Sequence, residues 1–200
     1  MVLELYHNPQ SRAAFTHWLL EEIGCDYTIR PVAYNDGSMR TPEFLAINPM
    51  GKIPAIKDGE TIVTETMAIA IYLADTYKSP NDLAPAVYDS RRGEYLRWVA
   101  FQGTCIEPAM MQAGIAFDVS RQQAGWGSVN LVLDVLEDRL SKANPYLIGS
   151  WFTAADILIG GTLNFALQFN LFAMRPGFEK YLAAVRSRPA FRKVFSAPDA

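Results

Sequence analysis

The sequence predicts an α/β half followed by an all-α half. Three observations carry this: alternating apolar runs are confined to the region before residue 65, helical apolar spacing alone follows residue 88, and a proline-bearing, patternless stretch lies between. In the first half, Leu3, Leu5 and His7 alternate with Val2, Glu4 and Tyr6, which predicts a strand over residues 2–7. Asn8-Pro9 breaks it. Ser11 can then cap a helix whose Phe15, Trp18, Leu19 and Ile23 recur at three- and four-residue steps until Gly24. Tyr27 to Val32 reads as a second strand, and strand-helix-strand in this order makes a crossover between parallel strands.

Beyond a polar loop around Asn35-Asp36-Gly37-Ser38, Thr41-Pro42-Glu43 opens a short helix that ends near Asn48-Pro49-Met50-Gly51. Extended runs Ile53–Ile56 and Thr61–Thr64 flank Lys57-Asp58-Gly59-Glu60, whose Asp-Gly signals a hairpin. Proline lacks the N–H a ladder needs, so Pro54 implies an edge strand or a special bend, such as a cis bond, that leaves neighbouring backbone groups open to a ligand. A helix with Met67, Ala70, Ile71 and Ala74 on one face runs to about Tyr77. The boundaries are therefore 1–78 for the first domain, 79–87 for a linker and 88–200 for an all-helical domain. Within the last, Val129, Val132, Leu133, Leu136 and Leu140 form the clearest apolar face. Phe152-Thr153-Ala154-Ala155-Asp156-Ile157 reads as a capping box, with Phe152 placed to staple onto Ile157, so Asp156 is structural.

The 200 residues are half apolar and one-fifth charged, with 18 basic against 21 acidic side chains, the composition of an ordinary soluble globule. A net charge of −3 gives no basic surface for phosphates or anionic lipid, so neither nucleic acid nor membrane is an expected partner. No basic segment precedes an apolar run at the N-terminus, and no run of about 18 apolar residues occurs, which points to a cytoplasmic protein. Cys25 and Cys105 lie far apart without Cys-x-x-Cys spacing or clustered His, against a disulfide framework, a zinc site or a dithiol centre; no metal is expected. His7 and His17 are too few for a hydrolytic triad, and His7 reads as a packed strand residue.

The order β-α-β-α-β-β-α with a proline before the hairpin, then an all-helical half, resembles the glutathione transferase superfamily: a thioredoxin-like domain joined to a helical bundle. The resemblance is carried by Asn48-Pro49-Met50-Gly51-Lys52-Ile53-Pro54-Ala55-Ile56, which is similar to the segment around that family's cis-proline. It is carried also by Glu65-Thr66, similar to a Glu/Gln-Ser/Thr pair, and by Thr153-Ala154-Ala155-Asp156, similar to its capping box. Ser11-Arg12-Ala13 with Trp18-Leu19-Leu20-Glu21-Glu22 resembles a bacterial and fungal branch.

This resemblance implies glutathione as co-substrate and a small electrophile as second partner, in a cytosolic homodimeric transferase of the detoxification type. It implies that the Ile53 main chain, held open by Pro54, pairs with the cysteinyl part of glutathione. Glu65 and Thr66 then receive the γ-glutamyl end, and Lys52, or else Arg40, attracts the glycyl carboxylate. A thiol with pKa near 8.5 is only about 3% ionised at pH 7, and lowering it by about two units requires about 2.7 kcal/mol of differential stabilisation. Ser11 is the candidate donor to the thiolate, with Asn8, Gln10, Arg12 and Tyr6 as rivals; the absence of cysteine at positions 10–12 argues against a mixed-disulfide mechanism. An apolar substrate pocket between the domains is expected to draw on Tyr6, Trp98, Phe101 and Met110. Two other readings share the fold: a non-catalytic binding or regulatory module, and a glutathione-dependent peroxidase or dehalogenase.

Overall fold

Strict alternation makes β1 (Leu3–His7) a half-buried strand: Leu3, Leu5 and His7 are buried while Glu4 and Tyr6 are only partly covered. A computed structural model describes residues 2–34, 36–80 and 82–196; Asn35 of the polar loop and Asn81 of the linker lie outside the described residues. Helix α1 (Ala13–Ile23) follows, burying the expected Phe15, Trp18, Leu19 and Ile23 and stopping at Gly24, whose φ of 75° is the left-handed cap. Strand β2 (Tyr27–Pro31) pairs parallel with β1. A 3₁₀ turn (Ser38–Arg40) leads into α2 (Pro42–Ile47), whose Phe44 N–H bonds to the side chain of cap residue Thr41. Strands β3 (Ala55–Asp58) and β4 (Thr61–Thr64) form the hairpin, joined by Gly59-Glu60 with Gly59 at φ 60°.

The sheet order is β2-β1-β3-β4, with β3 antiparallel to both neighbours. The proline strand is thus internal. Of the two options that proline leaves, the special bend is the one adopted: Ile53–Pro54 is cis and Pro54 precedes the first ladder residue, Ala55. Helix α3 (Thr66–Thr76) buries Ile69, Ala70 and Leu73 rather than the expected face of Met67, Ala70, Ile71 and Ala74. That helix is apolar nearly all round, so spacing alone did not select the inward face.

The chain divides into two units, the first running through Leu83 and resuming at Pro189, the second spanning Ala84–Arg188. The last segment of the chain therefore packs with the first unit rather than with the helices that precede it. In the first unit, α9 (Pro189–Phe195) packs on α1: Phe191 and Phe195 stand edge-on to Trp18 at 5.1 and 6.0 Å between ring centres, and Lys193 Nζ lies 2.7 Å from Glu21 Oε2.

The second unit holds α4 (Arg92–Phe101), α5 (Glu107–Ile115), α6 (Val129–Ser141), α7 (Ala154–Gln168) and α8 (Pro176–Arg186). A π-helical stretch, Gln102–Ile106, joins α4 to α5, and the buried Gln102 amide within it donates to Glu107 Oε1 and Thr162 Oγ1, each at 3.0 Å. Asp156 is the polar centre of this unit. Its carboxylate, fully buried, accepts from the Leu147 N–H (2.8 Å), the Thr153 N–H (2.9 Å), the Thr153 hydroxyl (3.1 Å) and the Tyr181 hydroxyl (3.1 Å). Burial pushes its carboxyl up to about 6, opposed by the pull of these donors. Phe152 packs against Tyr146 and under Arg188, whose guanidinium lies 3.6 Å from the ring centre.

Replacing Asp156 takes the carboxylate from two buried backbone N–H groups and the Thr153 hydroxyl, and leaves the Tyr181 hydroxyl only the Asp156 carbonyl at 3.3 Å, so Asp156→Ala is expected to cost about 3 kcal/mol or more. By calorimetry this reads as a fall in Tm of roughly 6–12 °C, whereas an unchanged Tm would remove Asp156 from its scaffold role.

Candidate functional site

The strand register decides which sequence motifs meet. Tyr6 pairs with Ala55 and Ala55 with Thr64, so the exit of β1, the entry of β3 and the exit of β4 lie side by side at one end of the sheet. The loop 8–12, the Ile53–Pro54 bend and the Glu65-Thr66 pair therefore share that end, over a span of about 10 Å set by strand spacing.

In the loop, Ser11 is buried; its hydroxyl donates to the Asn8 carbonyl at 2.7 Å and accepts from the Ala13 N–H at 3.0 Å. Gln10 is exposed and Arg12, the residue preceding α1, is half-buried. The Asn8 side chain donates to the Val32 carbonyl at 2.9 Å and accepts from the Gln10 N–H at 3.0 Å. Tyr6 is half-buried with its ring edge-on to Phe44 at 5.7 Å, and burial followed by the nearby Glu4 charge raises its phenol further, keeping it neutral.

Ile53 is half-buried and outside the β1–β3 ladder, and Lys52 is exposed. A residue given no role from sequence holds this bend: Asn48, buried, donates to the Lys52 carbonyl at 2.8 Å and accepts from the Met50 N–H at 3.0 Å. Its sequence signals were the Asn-Pro turn and its place at the head of the segment that carries the resemblance. Gly51 beside it sits at φ 61°, and a Cβ there would come within 2.7 Å of the Met39 carbonyl oxygen and 2.9 Å of the Arg40 guanidinium. Only glycine fits. The Arg40 guanidinium thus lies against Gly51, the residue before Lys52.

Glu65, exposed, has φ 68° and ψ 120°, a conformation that costs a side-chain-bearing residue on the order of 1–3 kcal/mol. It starts α3 without a cap bond from its own side chain, so the N–H groups from Thr66 onward form an anion-receptive helix start.

Of the expected pocket residues in the second unit, Trp98 and Met110 are buried at 1% and 2% exposure, on the inner face with Tyr95, Ile106 and Ala109. Both side chains are covered within the helical unit; helical spacing marks a face as apolar but not what covers it. Phe101 is half-buried, its ring 5.4 Å from that of Trp98.

Residues 1–75 match the family model for the glutathione S-transferase N-terminal domain, and residues 105–189 match that for the C-terminal domain. The chain is 32% identical to glutathione S-transferase 3 of Zea mays across 98% of this chain and 94% of that protein. The chain belongs to the glutathione S-transferase family. It is also 33% identical to glutathione S-transferase theta-2 of Homo sapiens, across 94% of this chain and 79% of the relative. A solved glutathione transferase from Phanerochaete chrysosporium, in complex with oxidized glutathione, superposes with a TM-score of 0.82 at 27% identity, covering 97% of this chain and 94% of that one.

In this transferase one further titratable group sits behind the loop. His7 is buried, its Nε2 has no hydrogen-bond partner among the described residues, and its ring stands 5.1 Å from His17. Burial, aided by the His17 charge, lowers it to about 4. Between that value and the unfolded 6.5 the unfolded chain binds more protons, so stability falls as pH drops from 7 toward 4. Urea unfolding at pH 7 and pH 5 is expected to show a loss of up to about 2 kcal/mol from this group, absent in His7→Phe; an equal loss in both proteins would exclude His7 as its source.

Proposed function

We propose that this transferase binds glutathione along the shared end of β1, β3 and β4 and adds its thiolate to small apolar electrophiles. The register that aligns Tyr6, Ala55 and Thr64 carries the reading: the span of about 10 Å equals the reach of three extended residues, the length of a tripeptide. The Ile53 main chain, outside the ladder, is available to pair with the cysteinyl residue of glutathione in the manner of an added strand. The open start of α3 and the Thr66 hydroxyl suit the γ-glutamyl carboxylate, while Glu65 offers its ammonium a counter-charge. Arg40, against Gly51, and Lys52, the residue after it, suit the glycyl carboxylate.

Ser11 is the thiol activator in this reading. Its oxygen already accepts from a helix-start N–H, which polarises the hydroxyl into a stronger donor. When a thiolate arrives, the hydroxyl proton turns from the Asn8 carbonyl to the sulfur. The thiol proton passes to solvent, sulfur forms a bond to the electrophilic carbon, and the leaving group departs with its electron pair. The free Cys25 and Cys105 suit a reducing cytoplasm, and homodimerisation is part of the reading on family grounds.

The occupied Ser11 proton favours one alternative, a fold that binds glutathione without activating it. Ultraviolet thiolate absorbance of bound glutathione against pH, measured with turnover of a halonitroaromatic, separates the two. Wild type is expected to hold thiolate at pH 7, and Ser11→Ala to raise the bound thiol pKa by about 1–2 units with a ten- to hundredfold loss of rate. Equal thiolate in both proteins would exclude Ser11. Binding without thiolate in wild type would favour the non-catalytic module, and no binding would overturn the glutathione site.

A further inference from the structure

We propose that Asn8 is a positioning residue for thiol activation, fixing the Ser11 hydroxyl by tying the β1–α1 loop to the exit of β2. The inference rests on the reading of Ser11 as thiol donor. Asn8 is engaged at both its side chain and its carbonyl. Its Nδ2 donates to the Val32 carbonyl at 2.9 Å, bridging 24 positions of sequence. Its Oδ1 accepts from the Gln10 N–H at 3.0 Å, the first N–H the loop offers after Pro9, which has none. Its backbone carbonyl accepts from both the Ser11 N–H at 3.1 Å and the Ser11 hydroxyl at 2.7 Å.

The consequence for Ser11 is geometric. The residue before Asn8 is tied to the same strand exit, because the Val32 N–H donates to the His7 carbonyl at 2.8 Å. Val32 thus holds the chain on both sides of the peptide between His7 and Asn8, once through the main chain and once through the Asn8 amide. Removing the amide leaves β1 in place and frees only the loop beyond it. The carbonyl that parks the Ser11 proton is part of that loop, and so is Ser11 itself. A hydrogen bond to a thiolate weakens steeply with misalignment, so a loop able to drift by a few tenths of an ångström gives up part of the thiol's stabilisation. Glutathione affinity, by contrast, comes in this reading mainly from Ile53, the α3 start and the cations at Arg40 and Lys52, whereas the Asn8 bonds go to Val32, Gln10 and Ser11.

The test is a double-mutant cycle on the full chain with Asn8→Ala, Ser11→Ala and both, reading the pKa of bound glutathione and the pH profile of kcat/KM. Asn8→Ala alone is expected to raise the bound thiol pKa by about half to one unit and to lower kcat/KM three- to tenfold below pH 7. The rate should recover at high pH, with glutathione affinity within twofold of wild type, and the shift should vanish in the Ser11→Ala background. Asn8→Ser, whose hydroxyl can take the Gln10 N–H but does not reach Val32, is expected to shift the pKa in the same direction, and it serves if the alanine variant fails to fold. An unchanged pKa in the Asn8 variants, with the Ser11→Ala shift intact, overturns the positioning role and leaves Ser11 standing. Additive shifts in the double variant would mean that Asn8 acts on the sulfur itself, which also overturns it. A silent Ser11→Ala would instead remove the donor reading on which the role depends.

Discussion

The antiparallel pairing of β3 with β1, Ala55 opposite Tyr6, is the constraint from which the candidate site follows. Because side chains alternate along a strand, a slip of one residue would turn Leu5 and Ile56, both fully buried, toward the wrong face of the sheet. The hydrophobic core thereby fixes the register, and the register brings together three segments that are distant in sequence. Loop 8–12, the Ile53–Pro54 bend and Glu65-Thr66 are neighbours because strands that bury Leu5, Ala55 and Ile56 end together.

Local devices then refine what the register places. Asn8 and Asn48 act alike, each a side-chain amide that bonds backbone groups and so shapes a turn without entering the core as an apolar residue would. Glu65 stands at the far end of the same row in a conformation that costs free energy, which the surrounding strand and helix sustain. On the first unit's other flank, α9 is held by the Trp18, Phe191 and Phe195 rings and by the Glu21–Lys193 pair. Glu21 also takes the Tyr27 hydroxyl and lies 3.8 Å from His17, so one carboxylate serves α1, β2 and α9 together.

Much of this was legible in the residues. Leu3, Leu5 and His7 declared their face by alternation, Phe15 to Ile23 by helical spacing, and the hairpin by Gly59. The Asn48-to-Ile56 segment and the Glu65-Thr66 pair carried the family resemblance, and with it the fold. What stayed hidden needed contacts that no local pattern encodes. The seven residues of α9 read as helix whichever unit they join, and only the meeting of Phe191 with Trp18 assigns them. Trp98 and Met110 show the same apolar spacing whether the face is core or pocket. The bond from Asn8 to Val32 crosses 24 positions, and polar side-chain to backbone bonds leave no periodic trace. The partner of the Ser11 hydroxyl was likewise invisible, although its place at the helix start was not.

The central claim is that three segments at one end of the sheet form a single glutathione site. An amide-resolved NMR titration of the isotope-labelled protein with reduced glutathione tests it directly. The expected result is one saturating event that shifts the amides of Ser11 to Ala13, Ile53, and Thr66 to Ala68 together, with the amides of α6 to α8 unmoved. Shifts confined to one of the three segments, or centred in the helical unit, would contradict the account.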